Sequence, residues 1–316
     1  FSRGEGPGAP VRMLSRLARA GVEDAIELSE RKPDWIRPRV SLGPEVMDVK
    51  KTLRDHSLVT VCEEAGCPNL SECWSDGTAT FMVLGERCTR ACGFCLIDTS
   101  KPQPPDADEP ARIAAAVAEM KLSYVVLTMV ARDDLADEGM GHIAQCVAAI
   151  KNLDSSIQVE TLISDARGTV ALDIILDAAP DVLNHNVETV PRLQRAVRPS
   201  AGYARSLSVL SRAKAHGLTV KSGLIVGMGE TDDEVFGVLA DLAAIGVDIV
   251  TIGQYLRPTS HHLPVSRWVE PAVFDSYKRV GESLGIGHVE SSPLTRSSYH
   301  AKESAAHAVP VKIGSR

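Results

Sequence analysis

Residues 62–95 read CEEAGCPNLSECWSDGTATFMVLGERCTRACGFC and hold six of the chain's seven cysteines. They form two triplets. Cys62, Cys67 and Cys73 are spaced C-x4-C-x5-C, and Cys88, Cys92 and Cys95 are spaced C-x3-C-x2-C. A short apolar strand candidate, 79–84, lies between the triplets and runs straight into the second. Further strand candidates follow at 124–130, 157–163, 181–186, 218–226 and 247–255, with helical stretches between them. Strands alternating with helices imply a parallel sheet. Six repeats fall short of the eight that close a full barrel. The expected class is therefore α/β, a partial (β/α)6 TIM-like barrel with N-terminal and C-terminal extensions. Sites in such folds sit at the C-terminal ends of the strands, and the thiol loop at 85–95 follows the first strand.

So many thiols in one stretch admit three chemistries. A disulfide framework suits small secreted domains, whereas a chain of 316 residues can bury a large core without staples, and no apolar h-region of a signal peptide is evident. Structural zinc favours four ligands in two close pairs. Here Cys92 and Cys95 are the one such pair, and each group stops at three. A cubane iron–sulfur cluster takes four ligands, usually thiolates, so three thiolates leave one iron open. Two triplets suggest two clusters, each with one unusual iron.

The second triplet, CTRACGFC, resembles the C-x3-C-x-aromatic-C pattern of radical S-adenosylmethionine enzymes, with Phe94 as the aromatic. That resemblance implies that the open iron is chelated by S-adenosylmethionine and that the cluster's electron cleaves it to a 5′-deoxyadenosyl radical. The first triplet narrows the match. CEEAGCPNLSECW, then CTRACGFC, RDD at 132–134, HNVETVP at 185–191 and a terminal RSSYH at 296–300 together resemble the lipoyl synthase family, from about residue 33 to residue 302. The resemblance implies a barrel of the radical S-adenosylmethionine type and two 4Fe-4S clusters, with Cys88, Cys92 and Cys95 on one and Cys62, Cys67 and Cys73 on an auxiliary one. It places the fourth auxiliary ligand at Ser298. It implies insertion of two sulfur atoms into a protein-bound octanoyl-lysine, with the auxiliary cluster as sulfur donor. The substrates implied are octanoylated lipoyl carrier domains, those of dehydrogenase E2 subunits and the glycine cleavage H protein. An electron donor such as flavodoxin or ferredoxin is implied as well. The competing readings are another sulfur-inserting radical enzyme and a non-catalytic iron–sulfur carrier.

The rest of the chain is read around these motifs. Residues 1–32 are expected to be a tail and helix, 33–78 an extension carrying the auxiliary cysteines, 79–290 the barrel and 291–316 an extension carrying the serine ligand. A helix is expected within 14–30, an extended arm at 31–39 anchored by Trp35, and further helices at 44–56, 231–245 and 271–284. Asp108, Glu109 and Pro110 mark another helix start, and TDDE at 231–234 reads as a capping box. Net charge is −7, so a global basic footprint for nucleic acid is absent. No apolar run reaches the roughly 18 residues that span a membrane. Clustered thiols suit a reducing compartment, a bacterial cytoplasm ahead of a mitochondrial matrix.

Polar residues at the other strand ends are the candidate site. Arg132 is assigned to the methionine carboxylate. Asn186 and Glu188 are assigned to the ribose or the methionine amine. In GLIVGMGE, residues 223–230, Gly227 and Gly229 are expected to let backbone approach the adenine. Asp133 and Thr189 read equally well as helix caps. Ala166 stands where the family carries an aromatic, and Met129 where a serine is common. Cys146 reads as a small core residue, and His261 with His262 as a solvated pair. Residues 190–216 hold Arg192, Arg195, Arg198, Arg205, Arg212 and Lys214 and no acid, which is either a docking surface for an acidic carrier or a solvated helix face.

Overall fold

A computed structural model describes residues 11–23, 25–26, 30–37, 44–60, 69 and 80–308. Ahead of the barrel come α1 (Val11–Arg19), α2 (Pro44–Asp55) and a two-residue strand, β1 (Val59–Thr60). The repeats follow: β2 (Thr80–Val83), α3 (Glu109–Glu119), β3 (Tyr124–Met129), α4 (Met140–Leu153), β4 (Gln158–Leu162) and α5 (Thr169–Asp177). Next are β5 (Val182–Asn184), the short α6 (Gln194–Val197), α7 (Tyr203–Ala215), β6 (Thr219–Val226) and α8 (Asp232–Ala244). The chain ends with β7 (Ile249–Gln254), α9 (Pro271–Ser283), β8 (His288–Ser291) and α10 (Ala301–Ala308).

The six expected strands are β2 to β7. They pair in sequence order and in parallel, and the sheet is wider than expected by one strand on each side. On one edge β1 pairs antiparallel with β2, and on the other β8 continues the parallel set. The sequence hid β8 because His288-Val289-Glu290-Ser291 is short and has a single apolar member. Among the described residues the order runs β1 to β8 without returning to β1, so the barrel is open.

Side-chain alternation divides the core in two. On β3, Val125 and Leu127 join the large cluster under the surrounding helices, while Tyr124 and Val126 join a smaller cluster inside the barrel. Ala301, Ala305 and Ala308 of α10 complete that inner cluster, so small residues at i, i+4 and i+7 let the last helix close against β3, β5 and β7. Nearby, fully buried Lys221 and Glu160 form an ion pair at 2.9 Å, and removing either partner would strand a buried charge at a cost of about 3–5 kcal/mol.

The expected capping box is present, with Thr231 Oγ1 accepting from Glu234 N and the Glu234 carboxylate accepting from Thr231 N. The N-terminal region differs from expectation. The helix stops at Arg19, followed by a turn through Gly21 at φ 71°. In the arm, Trp35 is 41 % exposed, and Ile36 beside it is the buried anchor. Apolar area decides this: Ile36 buries completely without having to satisfy an indole N–H. Cys146 is a core residue, and burial pushes its thiol up to about 12. Among the described residues no helix is long and apolar enough to cross a membrane.

Candidate active site

A cavity of about 390 Å³ opens at the C-terminal ends of the parallel strands. Cys88, Cys92, Cys95, Asn186, Glu188 and Ser298 share its wall, so the second triplet, two of the strand-end candidates and the terminal serine converge from more than 200 residues of chain. Cys62, Cys67 and Cys73 lie outside the described residues.

The thiol loop is fixed by backbone bonds to its neighbours. Cys88 N donates to Asp98 O at 2.8 Å, Thr89 N to Ala131 O at 3.0 Å and Gly93 N to Val197 O at 2.8 Å. Leu263 N donates back to Gly93 O at 2.9 Å. Gly93 has to be bare, since a Cβ there would lie 2.8 Å from the Leu263 side chain. Arg90, between the first two thiols, is clamped by two carboxylates. Its Nε and Nη2 donate to Asp133 at 2.9 and 2.8 Å, and its Nη1 reaches Asp165 at 2.9 Å. The ring Nε2 of His262 lies 3.0 Å from Cys95 O; a carbonyl only accepts, so this nitrogen carries the proton. His262 is therefore half-buried against the thiol loop, where the sequence suggested a solvated ring.

The thiols fit a cluster. Burial pushes Cys92 up to about 12 and Cys95 to about 11, so in the bare protein they rest as neutral thiols, and bound iron would be what holds them as thiolates.

Glu188 is held in a left-handed backbone conformation, φ 64°, which non-glycine residues seldom adopt. Bonds to β6 enforce it: Glu188 N donates to Gly223 O at 2.9 Å and Ile225 N to Glu188 O at 2.9 Å. Glu188 is half-buried at the cavity wall, and desolvation raises its pKa against the opposing pull of Arg198 and of Asn186. Asn186 Nδ2 donates to it at 3.1 Å. A half-buried carboxyl with one neutral donor suits a cationic ligand group such as an amine.

Arg132, Gly227 and Gly229 lie outside the cavity wall. Arg132 is 1 % exposed; it grips Asp134 with Nε at 2.9 Å and Nη2 at 2.8 Å, so its fork is already occupied. The two glycines serve packing. At φ 100°, a Cβ on Gly227 would strike the Gln254 side chain and Arg267 O, and at φ 115° one on Gly229 would strike Val22. The part of GLIVGMGE that faces the cavity is Gly223, Leu224 and Ile225. Glu230 at its far end accepts from Gly227 N and Met228 N at 2.5 and 3.0 Å, which closes the turn.

The arginines at the cavity wall are Arg90, Arg198 and Arg296. Arg198 holds Asn186 O and Val187 O at 3.0 and 3.1 Å and Asp165 at 3.1 Å. Asp133 proves to be the partner of Arg90, where the sequence offered a helix cap. One signal for Arg90 was in view: a lone cation between the first two thiols of the triplet. The basic stretch after residue 190 is largely neutralised. Arg192 pairs with Glu234 at 2.7 Å, Arg212 with Asp173 at 2.6 Å and Lys214 with Asp248 at 2.6 Å, while Arg198 is buried. Arg195 instead lines a separate groove with Arg12, Arg16 and Arg19 of α1.

Comparison with known proteins agrees with this geometry. The radical SAM superfamily model matches residues 82–242. The chain is 48 % identical over 304 residues to the lipoyl synthase of Stutzerimonas stutzeri, covering 94 % of this chain and 93 % of that one. It is 52 % identical over 280 residues to the lipoyl synthase of Chlorobium limicola, covering 88 % and 96 %. Among solved structures, the FeFe-hydrogenase maturase HydG of Carboxydothermus hydrogenoformans superposes with TM-score 0.54 at 14 % identity, over 84 % of this chain and 68 % of that one. Methylornithine synthase (PylB) gives TM-score 0.52 at 14 % identity, over 77 % and 70 %. The structural likenesses carry the fold; the sequence relatives carry the family. With two thiol triplets, the barrel and about half of all positions identical over nearly the full length, the chain belongs to the lipoyl synthase family of radical S-adenosylmethionine enzymes.

Proposed function

We propose that this chain inserts one sulfur atom at each of the sixth and eighth carbons of an octanoyl chain carried on a lysine of a lipoyl carrier domain. The observation that carries the reading is the convergence of Cys88, Cys92, Cys95 and Ser298 on one cavity. The target carbons bear alkane C–H bonds, which no side-chain base can deprotonate, so acid–base catalysis cannot start the reaction. When bound, S-adenosylmethionine and two four-iron clusters supply a hydrogen-abstracting radical and a sulfide.

The chain's own residues bind, orient and enclose. Cys88, Cys92 and Cys95 hold the radical-generating cluster, and Ser298 joins Cys62, Cys67 and Cys73 on the auxiliary one. Glu188 and Asn186 receive the amine of S-adenosylmethionine. Met82, Val126, Met129, Leu162 and Leu224 give the cavity an apolar wall that matches an eight-carbon chain and keeps water away from a carbon radical. Met129, where the family often carries serine, extends that wall. Ser298 presents oxygen where the other protein ligands are thiolates. A serine hydroxyl is barely ionised when unbound, so Ser298 would supply an auxiliary cluster with its weakest protein ligand.

Dehydrogenase E2 subunits and the glycine cleavage H protein are the carriers this reading assigns, with flavodoxin or ferredoxin as the reductant and the cytoplasm as the compartment. Residues 33–78, 79–290 and 291–316 are then the auxiliary-cluster extension, the barrel and the serine-bearing extension. Charge complementarity directs an acidic carrier to the groove of Arg12, Arg16, Arg19 and Arg195. The test is anaerobic turnover with S-adenosylmethionine, a reductant and an octanoyl-lysine peptide, followed by mass spectrometry. Formation of 5′-deoxyadenosine together with peptide carrying two added sulfurs is the expected result. 5′-Deoxyadenosine without sulfur insertion would make the chain a radical enzyme of another specificity.

A further inference from the structure

Ser297 and Ser298 are adjacent, but the structure treats them differently. Ser298 lines the cavity beside the thiols. The Ser297 hydroxyl is also in contact with the cavity, yet it is bound on both sides: Asn184 Nδ2 donates to it at 2.8 Å, and it donates to Asn186 Oδ1 at 3.2 Å. Asn184 belongs to β5 and is fully buried. The same Nδ2 donates to Glu160 Oε1 at 2.9 Å.

The direction of every bond in this chain follows from its buried end. Glu160 is held by Lys221 Nζ at 2.9 Å and accepts from Tyr124 Oη at 2.8 Å. Its carboxylate can only accept, so the NH2 side of Asn184 faces it. The second amide proton then goes to Ser297, whose own proton has to leave toward Asn186 Oδ1. With Oδ1 of Asn186 so engaged, its Nδ2 faces Glu188, 3.1 Å away. Asn184 Oδ1 is left buried without a hydrogen-bond partner. That orphan acceptor is the cost of the orientation, because the flipped amide would set an oxygen against the Glu160 carboxylate.

We propose that Asn184 is a positioning residue for the C-terminal serine pair: the buried Lys221–Glu160–Asn184 relay fixes Ser297, and by fixing Ser297 it directs Ser298 at the cavity and commits Ser298, not Ser297, to the iron. The backbone contributes up to this point and then yields. Ser292 N donates to Ile252 O and Gln254 N to Pro293 O, both at 3.2 Å, which pins the segment to β7. Bare Gly253 lets Thr295 O pass directly over that strand. Beyond Thr295, the Ser297 hydroxyl bonds into the barrel interior, ahead of the alanines of α10 that pack there. The same relay continues to Asn186 and Glu188, so the place of the auxiliary-cluster ligand and the polar wall proposed for S-adenosylmethionine are set by one chain of hydrogen bonds.

This inference rests on the reading that Ser298 binds the auxiliary cluster, and the test separates the two. Full-length, cluster-loaded protein is treated with trypsin, and cleavage after Arg296 is followed for wild type, Asn184→Ala, Ser297→Ala and the double variant. Each single variant should cleave about fivefold to tenfold faster, and the double no faster than Ser297→Ala, which already removes the bond the two residues share. Cleavage unchanged in the singles, or effects that multiply in the double, would overturn the relay. Should Asn184→Ala fail to fold, Ser297→Ala decides alone by the same reading. In parallel, iron is extracted with a chelator. Asn184→Ala should lose about half its iron several-fold faster than wild type and the remainder at the wild-type rate, and uniform loss would overturn the proposal. Wild type holding only about four irons would refute the cluster reading while the cleavage cycle still judges the relay.

Discussion

Asn69 donates its side-chain amide to the backbone carbonyl of Leu294 at 2.7 Å, joining positions 225 residues apart in the chain. Asn69 stands between Cys67 and Cys73 and is 4 % exposed; Leu294 precedes Ser298 by one short turn. The bond ties the stretch that carries the auxiliary thiols to the segment that carries the serine. Asn69 itself is thereby held against the segment that carries Ser298. Asn69→Ala leaves a half-buried carbonyl without this partner, at about 1 kcal/mol. After identical reconstitution, iron per chain should fall from about eight toward about four while 5′-deoxyadenosine still forms. Undiminished iron would mean that the bond does not hold the site together.

Asp165 is fully buried and lies between Arg90 at 2.9 Å and Arg198 at 3.1 Å. One carboxylate thus joins the thiol loop to the segment that carries Asn186 and Glu188. Asp165→Asn keeps the shape and removes the charge, leaving two guanidiniums short of an anion. A loss of about 3–5 kcal/mol in unfolding free energy is expected, with slower 5′-deoxyadenosine formation in whatever protein remains folded. Denaturant unfolding measures the first effect and quenched turnover the second.

His185 is buried between Ile163 O and Ser206 Oγ, and desolvation, aided by Arg198, lowers its pKa from 6.5 to about 4. The unfolded chain takes up this proton at higher pH than the folded one. Stability from neutral His185 is therefore complete above pH 6.5 and is lost as pH falls toward 4, by about 3 kcal/mol. His185→Gln cannot titrate there. The stability gap between wild type and His185→Gln should shrink across that window, and a gap independent of pH would refute the assignment.

In the proposed auxiliary site, Ser298→Cys would replace an oxygen ligand with a thiolate. Iron content should stay at about eight per chain, while the rate of sulfur insertion falls at least tenfold with 5′-deoxyadenosine release less affected. Rapid-quench product analysis checks this. Dithiolane formation at the wild-type rate would rule out a role for the oxygen ligand in sulfur insertion.

The strands and the thiol loop were legible because period, motif and strand ends point the same way. The interior was legible only in part. A polar residue at a strand end can face the cavity or turn beneath it, and sequence does not say which: Glu188 faces it, while Arg132 turns away to Asp134. Gly227 and Gly229 marked a real conformational need, but the crowding atoms belong to Gln254, Arg267 and Val22, all distant in sequence. The basic run from Arg192 to Lys214 looked unpaired because its acids, Glu234, Asp173 and Asp248, come from other elements. The relay through Glu160, Asn184 and Ser297 had no local signature, because its members are on different strands and a terminal segment.

On the proposed reading, this chain carries its own sulfur source beside its radical source. The direct measurement is to reconstitute the protein with isotopically heavy sulfide, remove free sulfide, and run one turnover with an octanoyl-lysine peptide, S-adenosylmethionine and reductant. Heavy sulfur at both inserted positions, with iron released in step, is the expected result. Product carrying light sulfur, or 5′-deoxyadenosine formed with the heavy sulfide still on the protein, would contradict the account.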